Sequence, residues 1–163
     1  MRSAIKLPVP RIHYGVLCFD ENGDLVWSRE FTNLVVNQGL DYILNTGAVT
    51  GIAVYMGLVS GATAPTFAAT DTLASHSGWT EFTDYTQTAY PTITWGTPSA
   101  GSMAGSAVTF SINATGTVAG AFTLSDATLQ NTTGNLYSEG AFTGGNAAVQ
   151  ANYTLLVTPT LSV

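Results

Sequence analysis

The sequence predicts a mainly β fold, an antiparallel β-sandwich of jelly-roll-like type, and three observations carry that expectation. Seven or so runs of strand-forming residues recur at short spacing, separated by turns rich in Gly, Asn and Thr. Asn22-Gly23, among the strongest short hairpin cues, falls between two such runs. The second half has no helical pattern, whereas a parallel sheet would need crossover helices there.

Taken in order, residues 1–12 (MRSAIKLPVPRI) hold Arg2, Lys6 and Arg11 with no acid. Pro8 and Pro10 disfavour a helix and favour extended backbone, so this segment reads as an N-terminal arm. From His13 to Asp20, HYGVLCFD is rich in strand formers, and LVWSREFT follows the turn. In that second run Leu25, Trp27, Arg29 and Phe31 alternate with Val26, Ser28, Glu30 and Thr32, which gives one largely apolar face. Asn33 then caps a short α-helix expected near residues 34–46, with Leu34, Val35, Leu40, Ile43 and Leu44 as its apolar face and Gly47 as its stop.

Next, IAVYMGLVSG at residues 52–61 reads as a buried strand. Asp71 is expected to cap one helical turn over 71–78, and YPTITW forms a further strand. After a Gly/Ser-rich turn at 98–106, AVTFSIN, GTVAGAFTLS, LYSEGAFTG and ANYTLLVTPTL supply four more. Gly120-Ala-Phe-Thr recurs at Gly140, which suggests two strands occupying similar places in a sheet rather than a solenoid. The organisation expected is an arm, residues 1–12, and a single β-sandwich domain, residues 13–163.

Charge placement narrows the function classes. Only 9% of residues are charged, against about 25% in typical soluble domains. Arg2, Lys6, Arg11 and Arg29 are all of the basic residues, so the clustered cations of a nucleic-acid footprint are missing. Neither a membrane span nor a secretory signal is expected, because the apolar stretches are broken by Gly, Thr, Asn or Pro. A thinly charged surface is what a protein covered by copies of itself or by a partner needs.

Reactive groups are few, and no enzyme activity is expected. His13 and Cys18 are five residues apart in one strand, so two-fold alternation puts them on opposite faces; Cys18 reads as a small core residue, and a meeting with His76 is not favoured. DENGD at 20–24 lacks the length and closing Glu of a calcium loop and reads as a hairpin turn. Asp71, Glu81 and Asp84 are the carboxylates from which an acid pair could be assembled. No phosphate loop occurs, and no cofactor or metal site is expected.

FTNLVVNQGLDYILNTG, IAVYMGLVSG, DTLASHSGWTEFTDYTQTAYPTITW, GAFTLSD and LYSEGAFTGG together resemble a family of small tailed-bacteriophage virion structural proteins, over roughly residues 25–145. The block from Asp71 to Glu81 is the most specific of these, with NLVVNQGL second. The resemblance implies a head decoration (cement) protein or a tail component. The expected role is binding of the major capsid protein on the capsid exterior, after synthesis in the host bacterial cytoplasm. Self-association as a dimer or trimer at a capsid symmetry axis is expected too. The alternatives are a tail or tail-fibre part of the same virion and a carbohydrate-binding β-sandwich. Candidate partner contacts are Arg2, Lys6, Pro8, Pro10 and Arg11 in the arm, with Trp79 and Tyr85 as aromatic anchors. The competing role for Leu73, Trp79 and Phe82 is to plug the open end of the sandwich.

Overall fold

A computed structural model of the chain describes residues 11–39, 53–100 and 102–162. It is mainly β, with two antiparallel sheets. The first is built on the expected hairpin: β1 (Arg11–Phe19) and β2 (Leu25–Thr32) pair from His13↔Thr32 to Cys18↔Trp27. The turn closes on Asp20, whose Oδ1 accepts from the N–H groups of Asn22 (2.8 Å) and Asp24 (2.9 Å). Gly23 sits at φ +85°, a conformation that a side chain would strain.

The last strand, β12 (Thr154–Ser162), pairs with β1 along its whole length, from Arg11↔Ser162 to Phe19↔Thr154. On its other side β12 carries the short strands β7 (Ser102–Ala104) and β8 (Val108–Ser111). The first sheet therefore runs β2-β1-β12, then β7 and β8.

The second sheet has the order β3-β10-β9-β4-β5, where β3 is Leu34–Val35, β4 Val54–Ser60, β5 Glu81–Phe82, β9 Gly116–Leu124 and β10 Leu136–Ala141. β6 (Thr92–Ile93) adds to β4, and β11 (Ala147–Val149) adds to β9. The Gly-Ala-Phe-Thr echo has a direct meaning here. β9 and β10 are antiparallel neighbours, with Gly140 opposite Ala121 and Ala141 opposite Gly120. A Cβ on Gly120 would lie 1.9 Å from the Gly140 carbonyl oxygen, and one on Gly140 would lie 3.0 Å from the Asn33 Cα and the Phe31 ring.

Two apolar layers result. Between the sheets pack Tyr14, Val16, Cys18 and Phe31 from the first, and Val54, Met56, Leu58 and Ala121 from the second, with Phe110, Leu155 and Val157. A polar chain crosses this core: Tyr14 Oη lies 2.9 Å from Ser138 Oγ, itself 2.6 Å from Thr123 Oγ1. Satisfying these hydroxyls with one another avoids the cost of burying them unpaired. The second layer lies on the far face of the second sheet, where Val59, Phe122, Leu124 and Leu136 are covered by Leu73, Trp79 and Tyr90 from the long connections.

Four expectations are corrected. The helix expected over 34–46 does not start at Leu34, since Leu34 and Val35 pair with Glu139 and Ser138 as β3; residues 37–39 are helical, and 40–46 lie outside the described residues. Arg11 and Ile12 belong to β1, while residues 1–10 of the expected arm lie outside the described residues. Residues 71–78 form turns, closed by mutual Thr72 and Ser75 backbone hydrogen bonds, instead of a helical turn. Finally, the 98–106 turn contains β7.

Gly15 and Gly120 provide a contrast that tests this packing. Gly120→Ala is expected to destabilise by about 3 kcal/mol or more, at the upper end of overpacking costs. At Gly15 an added Cβ meets nothing within 4 Å, so Gly15→Ala is expected to be neutral or stabilising by up to about 1 kcal/mol. Urea unfolding of both variants checks the pair.

Candidate interaction surface

Starting from the strands, alternation sorts β1 into Ile12, Tyr14, Val16 and Cys18 facing the core, and Arg11, His13, Gly15 and Leu17 facing out. β2 contributes Ser28, Glu30 and Thr32 to the same outer face, and β12 contributes Leu156, Thr158 and Thr160, as the registers require. An antiparallel sheet can leave one face to water. Two features mark this one out. Gly15, at its centre, has neither a positive φ nor a close neighbour, so no demand of the fold explains the missing side chain. Gly15 also helps to line a depression of about 370 Å³, with Leu17, Ser28, Glu30 and Thr158. Three of the exposed large apolar residues, Leu17 (38%), Leu25 (57%) and Val26 (45%), also gather toward the hairpin end of the same two strands.

The outer edge of β2 is held by the chain itself. Trp27 Nε1 donates to the Ala148 carbonyl at 2.9 Å, and the Thr143 N–H donates to the Glu30 carbonyl at 3.1 Å. Arg29 lies 5.7 Å from the Trp27 ring centroid and donates to the Ser28 carbonyl. This long edge is thereby protected from uncontrolled pairing.

The aromatic candidates lie elsewhere. Trp79 is 3% exposed and Tyr85 4%, so neither ring is at the surface. Tyr85 packs edge-on against Phe110, 5.2 Å away, in the core between the sheets. Trp79 belongs to the second layer, stacked on His76 at 4.0 Å and tilted against Phe122 at 4.9 Å. It closes the outer face of the second sheet, whereas a plug at the sandwich's end was the competing expectation. Arg11 is exposed at the start of β1; Arg2, Lys6, Pro8 and Pro10 lie outside the described residues.

Trp79 leads to a buried acid that sequence reading missed. Its indole N–H donates to Glu139 Oε2 at 2.7 Å, and Glu139 is fully buried in β10. Burial raises the Glu139 carboxyl from 4.5 to about 8, and the neighbouring Asp71 carboxylate adds to the rise. A protonated Glu139 can donate a hydrogen bond toward Asp71; an ionised one would repel it. Asp71 Oδ2 meanwhile accepts from the Ala68 N–H at 3.2 Å, which ties the covering loop to this acid pair. The only signal in the sequence was an acid inside the strand run LYSEGAF.

Glu81 is raised as well, by burial, against the opposing effects of the Tyr90 hydroxyl that donates to it and of His76. Tyr90 Oη in turn accepts from the Gln130 N–H at 2.9 Å. The three carboxylates considered for an acid pair are therefore separately engaged: Asp71 stands beside Glu139, Glu81 is bonded to Tyr90, and Asp84 lies near Gly116. Cys18 packs between the sheets and His76 stacks in the layer beyond the second sheet, so they are separated. Burial pushes the Cys18 thiol up to about 11. In the DENGD turn, Asp20 is spent on backbone N–H groups, which hold its carboxyl below the usual range.

No family model matches this chain, and neither the curated proteins nor the solved structures contain a significant match to it.

The sign of the Glu139 shift gives a pH prediction. Below about 4.5 the group is protonated in both states. Between 4.5 and about 8 the folded chain keeps a proton that the unfolded chain releases, so stability falls as pH rises through this window and levels off above it. Thermal unfolding of the wild type is expected to drop by about 5 °C or more from pH 5 to pH 8.5, and Glu139→Gln is expected to flatten that dependence. Trp79→Ala should cost about 3–5 kcal/mol, read by denaturant unfolding.

Proposed function

We propose that this protein is a bacteriophage capsid decoration protein, a non-catalytic subunit that binds the outside of the major capsid shell and bridges capsomers. The single structural observation supporting the reading is the unequal treatment of the two sheets. The chain covers the outer face of the second sheet with its own Leu73, Trp79 and Tyr90, whereas on the outer face of the first, among the described residues, His13, Leu17, Glu30 and Thr158 stay exposed. The sequence blocks that resemble small tailed-phage structural proteins point the same way. So does a chain with few charges, for which a partner-covered surface is a natural setting. The jelly-roll-like form of the sandwich and the N-terminal arm belong to this reading.

In mechanical terms, a face of threonine and serine hydroxyls and an exposed leucine, with Arg11, His13 and Glu30 as its ionisable groups among the described residues, suits a flat partner. Threonine supplies hydrogen bonds without the desolvation cost of ions, and Gly15 lets a neighbouring backbone or side chain approach closely. A specific interface buries about 1,600 Å² in total. Repetition around a symmetric shell adds avidity, so each contact can be weak.

Purified protein mixed with shells that lack it provides the test. Hundreds of copies spread over the head, counted by electron microscopy, are expected; a handful at the tail would replace this reading with a tail component. Gly15→Arg should fold normally, because the position is open, and should weaken shell binding at least tenfold, or about 1.4 kcal/mol. Shell binding by this variant equal to wild type would move the interface away from this face.

A further inference from the structure

The layer that covers the second sheet contains a cavity whose walls are mostly polar. It measures about 270 Å³ and opens between the connection before β5 and the loop after β9, with Leu73, His76, Thr80, Glu81, Gln130 and Thr132 lining it. Leu73 is buried and is the aliphatic part of the lining. Thr80, Gln130 and Thr132 are exposed around it, and His76 and Glu81 are half-buried.

A single buried hydroxyl fixes both walls. Tyr90 Oη donates to Glu81 Oε2 on one side and accepts from the Gln130 N–H at 2.9 Å on the other. Gln130 is held at φ +54°, a left-handed conformation that is uncommon for a residue with a side chain. His76 is fixed too, with its ring stacked on Trp79 at 4.0 Å. The walls are therefore set before a ligand arrives, which lowers the ordering cost of binding.

The hydrogen-bonding capacity left over defines the ligand. Among the described residues the Glu81 carboxylate bonds only to Tyr90, so it can accept more. His76 Nδ1 lies 3.3 Å from the Trp79 carbonyl oxygen, which places the neutral ring's proton on Nδ1 and leaves Nε2 as an acceptor. No hydrogen bond among the described residues occupies the side chains of Thr80, Gln130 or Thr132. Asn131, by contrast, is spent within its loop, accepting from the Thr133 N–H and hydroxyl. No Lys or Arg lines the cavity, so an anion would meet Glu81 with nothing to neutralise it. A purely apolar ligand would leave the polar groups unpaired. A neutral ring dense in hydroxyls, with a C–H face for Leu73, satisfies both demands. The volume lies just below the roughly 300 Å³ at which drug-sized pockets begin, which suits one sugar unit.

We propose that this cavity binds one neutral sugar unit, with the sugar hydroxyls on Glu81, His76, Gln130 and Thr132 and a C–H face of the ring on Leu73. The inference goes beyond the shell-binding reading and does not rest on it. The two are compatible in space. The cavity lies beyond the second sheet, whereas the proposed shell contact uses the outer face of the first.

Titration of the isotope-labelled full chain with glucose, galactose, mannose and N-acetylglucosamine, followed by amide NMR, tests it. At least one of these sugars is expected to give saturable shifts centred on His76, Thr80, Glu81 and Gln130 to Thr132, with a Kd of about 1 mM. Glucuronic acid, the anionic counterpart of glucose, should bind about tenfold more weakly than the best neutral sugar, a difference of about 1.4 kcal/mol. Gln130→Ala and Thr132→Ala each remove one exposed hydrogen-bonding side chain and should raise the Kd about threefold or more, with thermal melts matching wild type. The proposal is overturned by the absence of saturable shifts with every neutral sugar, by shifts centred elsewhere, by glucuronic acid binding as tightly as the neutral sugars, or by both variants binding like wild type. Shell binding by Gly15→Arg probes the other sheet, so the two readings can fail separately.

Discussion

Burial of the second sheet on both faces is the constraint on which the rest of this structure depends. β4 and β9 are covered by the first sheet on one side and by the chain's own connections on the other. Such strands can present little polar surface, which explains the run of small and apolar residues in VYMGLVS and GTVAGAFTL. It also explains why β9 and β10 approach through paired glycines and alanines: at Gly120 the neighbouring carbonyl occupies the space where a side chain would go.

The same constraint shapes the electrostatics. Glu139 stands in a strand that the fold buries, and it is accommodated by an indole donor and by retaining its proton. Trp79, Asp71 and Ala68 all reach this point from the covering loop. The acid therefore fixes the loop's placement more specifically than apolar packing alone would. Cores tolerate many apolar exchanges, but a buried carboxyl tolerates few partners.

Among the described residues, the covering layer lies on the second sheet, and the first has side chains exposed on its outer face. The first sheet is completed by β12, which returns to pair with β1, and its outer face carries threonines, the exposed Leu17, the His13 and Glu30 pair and a glycine with no close neighbour. The proposed capsid contact uses this face.

Much of the framework was legible in the sequence, because strand formers alternating with turn residues record a local preference. The β1–β2 hairpin, the buried β4 and the long strands β9, β10 and β12 all followed from that pattern, and two-fold alternation set His13 and Cys18 on opposite faces. The short strands β3, β5, β7 and β11 did not. Two or three residues carry no readable period, and their pairing is decided by which neighbour stands within hydrogen-bond reach. Leu34 and Val35 show the difference: their helical spacing was sound, yet β10 offered them a ladder. Trp79 and Tyr85 were recognisable as anchors by type, but what they anchor is interior. By itself the sequence determined an antiparallel β protein with scarce charge and its basic residues confined to the first 29 positions. Only the tertiary structure decided which sheet is covered, which carboxyl is buried and which face stays open, because those depend on contacts between residues as far apart in sequence as Arg11 and Ser162, beyond the reach of any local pattern.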